Sequence, residues 1–161
     1  MTMTCDVPDN DAGTSALRRQ LPDVDAVRKF MLAGNATITL VSRRTGTRFT
    51  YRIRQAPNAP SIWFVSLLTG SDNQNDYEYI GIIKNWIGGA GFLFSHTGKA
   101  RISTEAPGFK AFQWATIQLF RESRLPDMLE IWHEGRCGRC GRKLTVPESI
   151  ERGLGPKCGG E

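Results

Sequence analysis

The stretch Ala36–Gln55, ATITLVSRRTGTRFTYRIRQ, decides how the chain folds. Its hydrophobic period is two, the signature of strands with one buried face. Thr45-Gly46 interrupts the pattern as a hairpin turn would, so Ala36–Arg44 and Thr47–Gln55 read as paired strands. In the second strand Phe49, Tyr51 and Ile53 point one way, while Arg48, Thr50, Arg52 and Arg54 point the other. The arginines are thereby organised into a face.

Working outward, the same period continues to Ser95. Ser61–Thr69, Tyr77–Lys84 and Ala90–Ser95 supply further strands, separated by polar or glycine-rich stretches. An antiparallel sheet of about five strands results. Before it, Asp23 caps a short helix through Leu32, with Val24, Val27, Phe30 and Met31 on its apolar face, and Gly34-Asn35 ends it. After it, Pro107–Ser123 reads as a helix carrying Phe109, Phe112, Trp114, Ile117, Leu119 and Phe120 around much of its circumference, to be buried against the sheet. Pro126 suits the first turn of a second short helix that runs through Met128, Leu129, Ile131 and Trp132 and delivers His133. The expected fold class is α+β: a sheet packed by a helix, followed by a small C-terminal module. The chain divides into an acidic, disordered tail over 1–23, an α+β domain over 24–132 and the module over 133–161.

A chain of 161 residues, 40% hydrophobic and 23% charged, describes a globular protein rather than a disordered one. No apolar run approaches the roughly 20 residues of a membrane span, and the polar N-terminus is unlike a secretory signal, so the expected compartment is the cytoplasm. The net charge of +5 is unevenly spread. Met1–Asp25 holds five aspartates against Arg18 and Arg19, whereas Ala26–Ser71 holds seven basic residues and no acid. Such a run attracts polyanions or an acidic protein surface.

The segment His133–Arg142, HEGRCGRCGR, contains a Cys-x-x-Cys knuckle followed by glycine. Two thiolates at this spacing bind one metal ion while glycine permits the tight turn. Cys158 follows Cys140 after 17 residues, as in the two halves of structural zinc sites. Between them Thr145 and Glu148 form a capping box, and Gly153 ends the helix. His133 is the economical fourth ligand, giving a closed sphere of His133, Cys137, Cys140 and Cys158 around structural zinc. A redox-active Cys-x-x-Cys, a catalytic zinc with an open position, and a different fourth ligand stay open as alternatives. Cys5 stands alone and reads as a bystander.

The run Cys137–Cys158, CGRCGRKLTVPESIERGLGPKC, resembles an uncharacterised family of short zinc-finger-like modules in phage and bacterial mobile-element proteins. The resemblance implies a zinc fold and a phage or prophage context, and no reaction.

Arg139 and Arg142 lie at the knuckle, where they can both stabilise thiolates and touch phosphate. With Arg43, Arg44, Arg48, Arg52 and Arg54 they make a polyanion footprint, to which Tyr77, Tyr79 and Trp63 add stacking surfaces if they face outward. The bland readings are a solvated arginine face and core aromatics. The leading expectation is an accessory protein that binds DNA or RNA through phosphate, without strong sequence preference. The alternative is a phage-encoded binder that inhibits a host protein such as a defence complex, in the manner of an anti-CRISPR. An enzyme is not expected: nothing in the sequence brings His96 together with Asp72, Asp76 and Glu78, and no phosphate-cradling loop or nucleophile elbow occurs.

Overall fold

The computed structural model describes residues 19–72, 74–85, 91–144, 150 and 152–155. Helix α1 (Val24–Met31) begins where expected, because the Asp23 carboxylate accepts a hydrogen bond from the Ala26 N–H at 2.9 Å and satisfies one of the first-turn amides. Its apolar stripe buries Val27, Phe30 and Met31. Gly34, at φ +125°, turns the chain into the sheet.

Among the described residues the sheet has six strands, one more than the sequence suggests: β1 (Asn35–Ser42), β2 (Arg48–Ala56), β3 (Ala59–Leu68), β4 (Tyr77–Asn85), β5 (Phe92–Ser95) and β6 (Leu129–His133). Their order is β5-β4-β3-β2-β1-β6, antiparallel throughout. The hairpin at Thr45-Gly46 forms as expected, with Gly46 at φ +75° and Thr37 opposite Arg52 in the ladder.

The added strand corrects the sequence reading, which made Pro126–Trp132 a helix. Leu129, Ile131 and His133 are buried while Glu130 and Trp132 face the other way, a period of two that is favourable only beside β1. Arg19–Leu21, assigned above to the tail, closes the far side of β6: the Leu21 N–H donates to Ile131 O at 2.8 Å, and the His133 N–H donates to Arg19 O at 2.9 Å. Leu21 is wholly buried. A sheet edge is thus covered rather than left as a template for pairing.

Helix α2 (Pro107–Thr116) continues into a π-helical turn (Ile117–Arg121) and ends at Ser123, whose φ is +54°. Arg28 of α1 donates to Leu119 O at 3.1 Å and to Ser123 Oγ at 3.3 Å, tying the two helices together. Both pack on the same sheet face, over Tyr51, Ile53, Val65, Ile80, Ile83 and Ile131. Trp63 belongs to this core, its Nε1 donating to Leu32 O at 3.2 Å. Among the described residues no helix is long and apolar enough to cross a membrane.

Candidate nucleic-acid interface and cysteine knuckle

Because one sheet face takes both helices, the side chains that alternate with the core residues share the opposite face. On β2 these are Arg48, Thr50, Arg52 and Arg54, as the period of two predicts. Registered beside them are Asn35, Thr37 and Thr39 on β1, and Phe64 and Ser66 on β3. Beyond these lie Tyr79 and Ile82 on β4, with Tyr77 at the start of that strand opposite Leu68. Trp132, opposite Thr39, is the outward aromatic of β6.

The face is not uniform. At one end Arg52 and Arg54, with Asn35 and Thr37 beside them, meet Arg136 and Glu134 from the segment after β6 around a polar cleft of about 290 Å³. Three guanidinium groups face one acid there. Arg52 is held in place by two contacts: its Nη2 donates to Gln74 O at 3.2 Å, and its guanidinium carbon lies 3.9 Å from the centre of the Tyr77 ring. Its Nε is buried with no hydrogen-bond partner among the described residues. A buried N–H left so is costly, and an anionic oxygen is the acceptor that would relieve it. Burial, and then the positive charge of Arg52, pull the Arg54 pKa below its usual value, so positive charge is crowded here. Burial pushes the Tyr77 phenol up, against the opposing effect of Arg52.

Of the arginines to which the sequence points, Arg52 and Arg54 enter the cleft. Arg48 lies farther along the same strand, opposite Val41. Arg43 is engaged elsewhere, its Nε donating to a Glu130 carboxylate oxygen at 2.8 Å. Arg44 lies in the same hairpin turn, near Met128 Sδ at 4.0 Å. Arg139 and Arg142 are exposed on the knuckle but do not line the cleft. Sequence reasoning misses Arg136, which does line it, although this residue sits within the same basic knuckle.

The knuckle is a tight hairpin. Arg136 pairs with Lys143, the Leu144 N–H donates to Gly135 O at 2.8 Å, and the Gly141 N–H donates to Cys137 O at 2.9 Å. Cys137 is fully buried, and Cys140 is exposed. Burial alone would raise the Cys137 thiol, but N–H groups of Cys140, Gly155 and Arg139 outweigh it and hold the pKa down to about 7. The Gly155 and Arg139 bonds to Sγ measure 3.3 and 3.4 Å. Amides turned onto a sulfur stabilise the thiolate, which is the metal-binding form. The turn thus fits a metal ion at Cys137 and Cys140. Cys158 lies outside the described residues, as do Cys5 and the Thr145–Glu148 capping box.

His133 is held by backbone groups at both ring nitrogens. Its Nδ1 accepts from the Gly135 N–H at 3.0 Å, so the ring proton is on Nε2, which donates to Ile150 O at 2.5 Å. Both nitrogens are used by backbone, and burial lowers the ring's pKa, in keeping with this neutral tautomer. Among the described residues no three His, Cys, Asp or Glu side chains gather into a group able to hold a metal ion. The imidazole thus buttresses the module through Gly135 and Ile150.

The module is joined to the sheet domain through Phe30. A Cβ built on Gly138 or Gly153 would fall 2.7 or 2.5 Å from the Phe30 ring, so both positions require glycine for close approach. Asn35 N–H donates to Gly138 O at 2.6 Å, and Gly138 N–H donates to Gly153 O at 2.9 Å. Leu144 and Leu154 bury against Cys137, with Ala33 from the α1–β1 turn beside them.

Of the residues considered for catalysis, Asp72 and Asp76 share the loop between β3 and β4, where the Asp72 N–H donates to an Asp76 carboxylate oxygen at 2.9 Å. His96 Nε2 lies 3.2 Å from Ile102 O. The Asp72 carboxylate instead organises its own loop, where the Gln74 N–H and then the Asn75 side chain hold its pKa below the usual value.

Residues 130–160 match the model of a family of unknown function, DUF6011. The match therefore begins on β6 and takes in the whole knuckle. No curated protein and no solved structure matches the chain.

Proposed function

We propose that the protein binds nucleic acid through its phosphate backbone, on the open face of the sheet, and that a structural zinc ion holds the C-terminal module. The observation that carries the reading is the cleft, where Arg52 and Arg54 of β2 and Arg136 of the knuckle converge. Isolated arginines on a strand are a solvated face; three from two distant segments around one polar cavity, one with a buried N–H that has no partner among the described residues, support an anion site. Contacts of this kind carry affinity without sequence preference.

Zinc would be held by the thiolates of Cys137, Cys140 and Cys158 and would supply a cross-link that a segment this small lacks in core. His133 was the expected fourth ligand. One zinc per chain retained in His133→Ala would make its role that of the buttress seen here, and loss of zinc equal to that in Cys140→Ser would make it a ligand. The likeness of residues 137–158 to modules of phage and mobile-element proteins supports a phage or prophage origin, with the host cytoplasm as its compartment.

Paired substitutions Arg52→Glu and Arg54→Glu test the function. Binding should weaken across sequences, and the slope of log affinity against log salt should flatten by roughly 1.4–1.8, since each of the two phosphates that is no longer neutralised removes roughly 0.7–0.9 from it. An unchanged slope removes the face from the footprint. A second reading, capture of a host protein, is favoured by Phe64 and Leu93, large apolar side chains 44% and 40% exposed. A complex that survives nuclease treatment would establish it.

A further inference from the structure

Resting on the nucleic-acid reading, we infer that the sheet face selects single strands by stacking unpaired bases on Phe64, Tyr79 and Tyr77, beside the arginines of β2. The three aromatics share the outward face. Phe64 stands opposite Arg54 in the β2–β3 ladder and is 44% exposed. Tyr79 stands opposite Ser66, which in turn stands opposite Arg52, and its ring meets Phe64 edge-on with centroids 6.1 Å apart. Tyr77, the next outward residue of β4, is the ring that Arg52 covers on one side.

Spacing favours a single strand over a duplex. Neighbouring strands are about 4.8 Å apart, so a backbone running along β2 has these rings one or two strands to its side, roughly 5–10 Å away, where its bases would lie. Outward residues on one strand are about 6.8 Å apart, twice the roughly 3.4 Å rise along a duplex strand. Bases seated on successive rings are therefore drawn apart and cannot stay in a continuous paired stack. A duplex offers the arginines its phosphates but keeps its base faces covered. Next to the strip stand Arg52, Arg54, Ser66 and Thr50, and in the adjoining cleft Arg136 joins Arg52 and Arg54 against Glu134, so positive charge predominates as a polyanion requires.

The test uses the full chain and one mixed-sequence labelled oligonucleotide, presented alone and annealed to its complement, with binding followed by fluorescence anisotropy. The single strand should bind at least about tenfold more tightly. Phe64→Leu, which keeps an apolar side chain and removes the π-face, should cost the single strand roughly tenfold and leave the duplex unchanged, while Phe64→Trp keeps the preference. Equal binding of the two forms, with Phe64→Leu silent, overturns the inference and leaves the phosphate-binding reading intact. Binding of neither form overturns that reading and the inference with it. A loss shared by both forms and by Phe64→Trp marks a packing effect and overturns stacking.

Discussion

Tyr51 joins the middle of the sheet to α2 through one hydroxyl, which donates to Gly108 O at 2.7 Å inside the core. Removing it leaves a buried carbonyl without its partner, so Tyr51→Phe should cost about 1–2 kcal/mol, read as a lower urea midpoint at unchanged slope. Burial raises the Tyr51 pKa far above the usual value for tyrosine. The fold therefore favours the neutral phenol: its contribution is complete below about pH 10, where a tyrosine of the unfolded chain titrates, and is lost as the pH climbs above that. Wild-type stability should fall above about pH 10 more steeply than that of Tyr51→Phe, and parallel alkaline declines would contradict the assignment. The inward direction of Tyr51 was legible from alternation with Arg52 and Arg54. Its partner was not, because nothing local to residue 51 signals a helix that starts more than fifty residues later.

The elements that could be read are those with local causes. Asp23 caps α1 through a bond three residues long, and Asp23→Ala should cost about 1 kcal/mol, measured by thermal or urea unfolding, whereas Asp25→Ala should cost less because its ion pair with Arg28 is exposed. Strand β6 is the opposite case. Leu129, Ile131 and Trp132 satisfy a helical spacing after Pro126 as well as they satisfy a strand, and the choice is made by β1, some ninety residues earlier, whose edge they complete. The arginine cleft has the same non-local origin. Arg52 and Arg54 were legible from their alternation, but Arg136 became their neighbour only because β6 lies beside β1 and delivers the knuckle to that end of the sheet. His133 shows the same non-local origin: the alternation of β6 turns it inward, toward Phe30 at 5.4 Å between ring centres.

At the scale of the molecule, two cores meet at Phe30. The main cluster runs through the sheet and both helices, while Cys137, Leu144 and Leu154 form a separate small one. Among the described residues this second cluster holds three buried side chains, and the proposed zinc would tie the segment further. Chelation of zinc, or Cys137→Ser, should therefore release amide protection at Gly138, Gly141 and Leu144 while β2, β3 and β4 keep theirs, since the ladders of those strands use nothing from the module. The separation should be incomplete. Phe30 loses the cover of Gly138 and Gly153, and Asn35 loses its bond to Gly138 O, so α1 and the start of β1 should exchange faster than the far strands. Hydrogen exchange mapped along the chain, with and without chelator, resolves all three zones. Uniform protection after zinc is removed would mean that the glycine-lined fit around Phe30 suffices to hold the module, and uniform loss would mean that module and sheet unfold as one unit.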